Sequence, residues 1–232
     1  MNLFEDREHF DNFLDITDKD FLSFYRKCKK FSFNTTQKMY SSYKAIEYIV
    51  YNDIPGDIVE CGVWRGGSCM LIALTLLKLK NTGKKIYLFD TYEGMTIPDD
   101  VDVTFDGRPA RELMAEREAR MIAPLEEVKR NMFSTGYPED KLIFIKGRVE
   151  DTVPKFLPEK ISLLRIDTDW FQSEYHGLCH AFPRLQPKGV IILDNYGCWN
   201  GARYAADKYF NENNIKILLN RTNFSERVGI KT

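Results

Sequence analysis

The chain has 232 residues, of which 44% are hydrophobic and 29% are charged, a composition typical of a soluble globular protein with one main domain. Its net charge of -1 argues against broad attraction to nucleic acid or to an anionic membrane surface. No apolar run is long enough to cross a bilayer, and the five cysteines have neither disulfide nor zinc spacing, so we expect a cytoplasmic protein with reduced thiols.

The N-terminal part of the chain is predicted to be helical. Residues 4–31 carry aromatic and apolar side chains among many charges, which is typical of one or two amphipathic helices. A second helical pattern covers residues 37–52 and stops before Pro55. We therefore expect residues 1–52 to form a helical cap or an oligomerisation segment, and residues 53–232 to form the main domain.

The rest of the chain alternates between strand-like and helix-like segments. Continuous apolar runs, which are typical of parallel strands buried on both faces, occur at residues 57–61, 85–90, 141–147, 161–167 and 189–194. Helices are predicted at residues 67–79, 124–135, 172–185 and 201–212, and two short strands in the tail at residues 215–219 and 226–231. This alternation predicts an α/β fold with a doubly wound, mostly parallel sheet of seven strands, which binds its ligands beyond the carboxyl ends of the strands.

The first strand runs into a glycine-containing turn, ECGVWRGGS, at residues 60–68. Gly62 permits a tight turn, and Gly66 or Gly67 lets the next helix begin close to the strand with free backbone N–H groups. A dinucleotide pyrophosphate needs close backbone approach at the middle of such a turn, where Val63-Trp64-Arg65 would obstruct it. The turn therefore favours a nucleoside ligand without a pyrophosphate; a simple strand-to-helix connection is the alternative.

Acidic side chains also follow the second and third strands. Asp90 ends the second strand, where a carboxylate accepts hydrogen bonds from both ribose hydroxyls. The loop after the third strand, GRVED at residues 147–151, would then border the base of the nucleoside. Asp151 is equally well explained as the N-cap of the next helix.

Four oxygen-bearing side chains follow the fourth and fifth strands. Asp167 and Asp169 leave the fourth strand, and Asp194 and Asn195 leave the fifth. Carboxylates this close together repel one another unless a cation neutralises them, and Mg²⁺ prefers oxygen ligands of this kind. These residues therefore predict a magnesium site, and separate helix caps on solvated loops are the alternative.

A long polar insertion, residues 96–123, follows the second strand. Long insertions at the ligand-binding edge of a sheet often act as lids. The insertion is therefore predicted to be a lid, and simple surface elaboration is the alternative.

Four motifs, IPGDIVECGVWRGGS, LFDTYEG, LLRIDTDWFQS and PKGVIILDNYG, together resemble the macrocin O-methyltransferase family of S-adenosylmethionine enzymes. The similarity runs from about residue 36 to about residue 210, with the motifs in order and at fitting intervals. The resemblance implies a class I methyltransferase fold, Mg²⁺ dependence, a sugar or glycoside hydroxyl as acceptor, and a homodimer or higher assembly. It also implies that the N-terminal helices help to cover the site.

The resemblance also implies roles for individual residues. Asp169 would be the general base, and Asp167, Asp194 and Asn195 would hold Mg²⁺. The residues expected to contact S-adenosylmethionine are Glu60, Gly62, Gly66, Ser68, Asp90, Thr91, Gly147, Glu150, Asp151 and Asp167. Many members have two aspartates after strand five, whereas the Asp194-Asn195 pair resembles the catechol-type Mg²⁺ methyltransferases, so sugar and catechol-like acceptors both stay open.

Two other functions compete with methyl transfer. The D-x-D spacing of Asp167 and Asp169 also describes the metal site of a nucleotide-sugar glycosyltransferase, although the turn after strand one is not typical of that class. A scaffold that senses S-adenosylmethionine without catalysis is the other alternative, and the carboxylate set argues against it because a sensor needs no metal cluster.

Overall fold

The computed structural model describes residues 15–114 and 121–232. The N-terminal prediction for residues 4–14 and part of the predicted insertion, residues 115–120, lie outside the described residues. The helices are α1 (Lys19–Cys28), α2 (Thr36–Tyr51), α3 (Gly67–Lys78), α4 (Ala110–Met114), α5 (Leu125–Phe133), α6 (Val149–Thr152), α7 (Phe171–Ala181) and α8 (Asn200–Glu212). The strands are β1 (Asp57–Cys61), β2 (Ile86–Asp90), β3 (Leu142–Lys146), β4 (Ile161–Ile166), β5 (Leu185–Leu193), β6 (Asn220–Arg221) and β7 (Arg227–Ile230).

The sheet has seven strands in the order β3-β2-β1-β4-β5-β7-β6, and only β7 runs antiparallel to its neighbours. This confirms the predicted doubly wound, mostly parallel α/β sheet. The order reverses between β1 and β4, so a crevice opens between the carboxyl ends of these two strands. Within the described residues, no helix combines the length and the apolar character that a membrane crossing requires.

Both faces of the sheet are buried, because alternate residues of each strand enter two different cores. Ile58 of β1 packs with α1, α2, α3 and α5, whereas Val59 packs with α7 and α8 on the other face. The helices α1 and α2 therefore share a core with the sheet. The role of residues 1–52 as a cap or an oligomerisation segment stays a prediction.

One of the two strands predicted in the tail is wrong. Residues 215–219, predicted as a strand, form none, and the edge strand β6 begins one residue later. Ile215, Ile217 and Leu219 pack against the core beside α8, whereas Leu218 is 84% exposed. The alternating apolar pattern thus reflects one-sided packing rather than pairing with a strand.

The first part of the predicted insertion is hydrogen-bonded to the helices that follow β4 and β5. The buried Asp102 accepts hydrogen bonds from the N–H groups of Asp99 and of Phe171, the first residue of α7, each at 2.8 Å. The N–H of Asn200, at the start of α8, donates to the Val103 carbonyl at 2.8 Å. The insertion therefore covers the N-termini of both helices that follow β4 and β5, and its action as a lid stays a prediction.

Candidate active site

A cavity of about 430 Å³ lies at the carboxyl ends of β1, β2, β4 and β5. Of the residues predicted to form a site, those that line it are Glu60, Gly62, Ser68, Asp90, Thr91, Gly147, Glu150, Asp167, Asp169, Asp194 and Asn195. Gly66 is instead the N-cap of α3 and faces Val128 of α5, and Asp151 is exposed on α6, whose N-cap is Arg148. The fold therefore gathers the strand-end residues, which are far apart along the chain, around one space.

The turn between β1 and α3 is held in place by Asp90. The N–H groups of Val63 and Trp64 donate to Asp90 Oδ2 at 2.6 and 2.9 Å, and the N–H of Tyr92 donates to Oδ1 at 2.7 Å. The two N–H donors use both lone pairs of Oδ2. Thr91 Oγ1 also lies 3.4 Å from Oδ1, but its single proton goes to the Gly94 carbonyl at 2.5 Å. Oδ1 is therefore the Asp90 atom that retains capacity for a ribose hydroxyl.

Gly62 lies where β1 and β4 separate, and its φ of +83° is one that L side chains rarely adopt. A Cβ at this position would lie 2.1 Å from the Asp167 carbonyl oxygen. The glycine thus lets the β1–α3 turn pass directly over the end of β4, close to Asp167.

Gly62→Ala is expected to lower the free energy of unfolding by about 3 kcal/mol or more, because positive φ and a clash with rigid backbone combine. Gly107→Ala is the matched control, since Gly107 has φ +88° but open space around its Cβ position, and it should cost about 1–2 kcal/mol. Urea denaturation followed by circular dichroism measures both. Equal losses in the two variants would show that the close approach at Gly62 has no energetic weight.

Arg165, which is fully buried on β4, lies at the centre of a carboxylate cluster formed by Glu60, Asp167 and Asp194. Its Nη1 donates to Glu60 Oε1 at 2.5 Å and to Asp167 Oδ2 at 2.8 Å, and its Nη2 donates to Asp194 Oδ1. Glu60 also accepts from the Cys69 thiol at 2.7 Å. Glu60, expected to contact the cofactor, is therefore chiefly a partner of Arg165.

A second cation reaches the cluster from α2. The Lys38 Nζ lies 2.5 Å from Asp194 Oδ2 and 3.3 Å from the Asp194 carbonyl oxygen, and the lysine is buried. Burial opposes ionisation of Asp194, yet Lys38 and Arg165 hold its pKa below the usual value. Both oxygens of this predicted metal ligand are therefore paired with cations.

Asp167 is in a different position, because it faces the cavity. Its Oδ1 accepts from the Asn195 amide at 2.9 Å, and its side chain keeps 26% exposure. Burial and the charge of Asp194 raise the pKa of Asp167 well above its usual range. Burial and Asp167 also raise the pKa of Glu174 on α7. The site therefore holds more carboxyl groups than its two cations can compensate.

The predicted metal set contains two carboxylates and one amide. Across the part of the chain that the structure describes, no cluster of three or more His, Cys, Asp or Glu side chains has the arrangement of a metal site. Asp169 lines the same cavity two residues after Asp167, with a left-handed backbone at φ 66°. The indole rings of Trp170 and Trp199 meet edge to face at 5.1 Å beside it.

The N-terminal segment before α2, residues 31–35, also lines the cavity, and none of its residues was among the predicted site residues. Phe33 stacks on Trp64 with ring centroids 3.9 Å apart. Arg65 binds Glu127 of α5 at 2.5 Å and the Lys30 carbonyl at 3.3 Å. Trp64 therefore contacts the cavity and Phe33, and Arg65 ties the turn to α5 and to the N-terminal segment.

The sequence analysis did not name Arg165 or Lys38 as site residues, although the sequence carries a signal for each. Arg165 interrupts a continuous apolar strand, and a charged residue there needs a buried partner. Lys38 lies at helical spacing, i+7 and i+11, from Ala45 and Ile49, so it shares the face of α2 that these apolar residues bury. Either pattern identifies a buried charge, but neither identifies its partner.

Comparison with curated proteins finds methyltransferases. The chain is 32% identical over 153 residues to a 4'-O-methyltransferase of a rhamnosyl-tetracenomycin from Streptomyces olivaceus, covering 65% of this chain and 57% of that protein. It is 30% identical over 168 residues to demethyldecarbamoylnovobiocin O-methyltransferase from Streptomyces niveus, covering 72% of this chain and 62% of that protein. The chain thus spans about three fifths of the length of these relatives.

The fold is that of the O-methyltransferase NovP, with a TM-score of 0.80 at 23% identity over 87% of this chain and 82% of that chain. A calicheamicin methyltransferase, CalS11, shares it with a TM-score of 0.67 at 17% identity over 97% of this chain and 96% of that chain. The model of the family Macrocin-O-methyltransferase (TylF) matches residues 29–225, which include every residue of the cavity. The chain belongs to the Macrocin-O-methyltransferase (TylF) family, whose fold is that of S-adenosylmethionine-dependent methyltransferases.

Proposed function

We propose that the protein transfers a methyl group from S-adenosylmethionine to a hydroxyl of a sugar in a glycoside or a related natural product. One observation carries the proposal: a single cavity joins the β1–α3 turn, Asp90 and the carboxylates after β4 and β5. The donor and acceptor of a methyl transfer have to meet in one space from which water is excluded. Membership of a methyltransferase family removes the glycosyltransferase alternative.

The donor lies, in this proposal, on the β1–β2 side of the cavity. Asp90 Oδ1 accepts from the ribose, and Gly147 and Glu150 border the adenine. The turn from Gly62 to Ser68 takes the methionine end. Thr91 supports Asp90 from the following loop, where its hydroxyl donates to the Gly94 carbonyl at 2.5 Å.

The residues on the β4–β5 side suit Mg²⁺ in their chemistry. Asp167 and Asn195 offer oxygens next to the cavity, with Asp194 behind them. Carboxyl groups outnumber cations here. The cations are Lys38 and Arg165, and the carboxyl groups are those of Glu60, Asp167, Asp169, Glu174, Asp194 and Glu226. A divalent cation relieves this excess. When bound, Mg²⁺ would supply a Lewis acid that lowers the pKa of the acceptor hydroxyl.

Asp169 is the proposed general base. As the acceptor oxygen attacks the methyl carbon, Asp169 takes the hydroxyl proton, and the carbon–sulfur electron pair stays with the sulfur of S-adenosylhomocysteine. Trp170 and Trp199 form one side of this space, and Thr104 of the insertion pairs with the Trp199 backbone through an isolated bridge. Positioning in the cavity is the main contribution to the rate.

The acceptor is proposed from the relatives. One is named for a rhamnosyl substrate and another is a mycinamicin 3''-O-methyltransferase from Micromonospora griseorubida. The Asp194-Asn195 pair keeps catechols as a second candidate class. A homodimer or higher assembly is part of the proposal, and light scattering of the purified protein tests it.

The proposal is tested by incubating the protein with deuteromethyl S-adenosylmethionine, Mg²⁺ and a panel of glycosides and catechols. Mass spectrometry is expected to find the labelled methyl on a glycoside, and omission of Mg²⁺ with a chelator present should abolish the transfer. Calorimetry with S-adenosylhomocysteine checks donor binding separately. Binding of S-adenosylhomocysteine without transfer to any member of the panel would favour a sensor instead.

A further inference from the structure

Lys38 is the only residue of α2 that forms an ion pair with a residue after β5, among the residues that the structure describes. Its ammonium lies 2.5 Å from Asp194 Oδ2, across 156 positions of sequence, and both side chains are buried. A buried ammonium is costly unless a carboxylate compensates it. The pair therefore links α2 to the carboxylate cluster through a buried ion pair.

This contact conflicts with the binding of a metal ion by the same carboxylate. Arg165 already occupies Asp194 Oδ1, so Oδ2 is the oxygen that Asp194 could turn toward a metal. An ammonium at 2.5 Å from this oxygen would lie next to a bound dication and repel it strongly. Lys38 and Mg²⁺ therefore compete for one atom.

We propose that Lys38 is an internal counter-cation that occupies Asp194 Oδ2 when no metal is bound and that a divalent cation displaces. The proposal rests on the metal site of the proposed function and concerns its regulation. Displacement gives α2 a part in metal loading, because the helix loses its ion pair with Asp194 as the metal enters. The affinity for the metal is thereby lower than the carboxylates alone would provide.

A second carboxyl group offsets the charge of the displaced ammonium. Glu226, just before β7, is fully buried, and its charge acts on Lys38 together with those of Asp194 and Asp167. The displaced ammonium turns into the cavity, which Lys38 lines, and the charge of Glu226 still offsets it there. The amine thereby becomes more accessible to reagents in the cavity. The metal then enters without leaving an uncompensated buried lysine.

The affinity for Mn²⁺, measured by calorimetry, tests the competition. Lys38→Met is expected to bind Mn²⁺ about tenfold or more tightly than the wild-type protein, because the repulsion is removed. Lys38→Arg keeps the charge and should not tighten binding. Lys44→Met is the matched control: Lys44 is on the same helix, is half-exposed and pairs with Glu47, so its loss should leave the affinity unchanged. Equal or weaker Mn²⁺ binding by Lys38→Met would overturn the proposal.

A measurement on the wild-type protein avoids any folding defect of the variant. Acetic anhydride labels free amines, and peptide mass spectrometry reports the labelling of Lys38 and Lys44 in one sample. Mn²⁺ is expected to raise the labelling rate of Lys38 severalfold over that with a chelator, while Lys44 stays constant. If Mn²⁺ binds and the Lys38 rate does not rise, the ammonium is not displaced and the proposal fails. Failure of the proposed function is separate, since it appears as an absence of S-adenosylhomocysteine binding and of methyl transfer.

Discussion

Arg165→Met is expected to lower the free energy of unfolding by about 3–5 kcal/mol, because it leaves buried carboxylates without their common partner. Arg165 compensates Glu60, Asp167 and Asp194 at once, and its side chain is 1% exposed. Urea denaturation followed by circular dichroism measures the loss. Arg108→Met is the control, since Arg108 pairs with Asp106 at the surface and should contribute at most about 1 kcal/mol.

The loss in Arg165→Met is expected to shrink as the pH is lowered. Without the guanidinium, the pKa values of Glu60 and Asp167 rise further above those of the unfolded chain, so the folded variant binds more protons than its unfolded state. A raised folded-state pKa makes the free energy of unfolding fall as the pH rises and recover as it falls. A pH-independent loss close to that of Arg108→Met would mean that the carboxylates are compensated by other groups.

Asp169→Asn is expected to lower kcat by about 10²–10⁴-fold while S-adenosylhomocysteine binds as in the wild-type protein. The amide keeps the shape of the side chain on the cavity wall but cannot accept the hydroxyl proton. Stopped assays of methyl transfer across the pH range, with calorimetry for S-adenosylhomocysteine, measure the two quantities separately. Full activity of Asp169→Asn across pH would remove Asp169 as the base.

Glu150→Gln is the companion variant for Asp169→Asn. Glu150 lines the same cavity from α6, which follows β3, on the side proposed for the adenine. Its loss is expected to raise KM for S-adenosylmethionine and to leave kcat nearly unchanged, because interactions with a remote group contribute equally to ground state and transition state. A fall in kcat as large as that of Asp169→Asn would place Glu150 next to the reacting atoms instead.

The strands of the parallel sheet and most of the cavity wall were predictable because both depend on local patterns. Continuous apolar runs located β1 to β5 to within a few residues, and the polar residues that end four of these strands had to meet at one edge. Asp90 and Asp167 were found in this way. Residues 215–219 failed as a strand because alternation records one buried face, not a hydrogen-bonded neighbour.

The partners of the charged groups depended on the tertiary structure. The chain order shows a lysine in α2 and an arginine in β4, but the pairs Lys38–Asp194 and Arg165–Glu60 join positions 156 and 105 residues apart. The same holds for Trp64, whose stacking on Phe33 depends on how the N-terminal segment crosses the β1–α3 turn. Apolar periodicity and strand-end chemistry are properties of short stretches, so they determined the fold class and the position of the site. Compensation of buried charge is a property of the packed interior, so only the folded chain decided which carboxylate is paired, and which still faces the cavity.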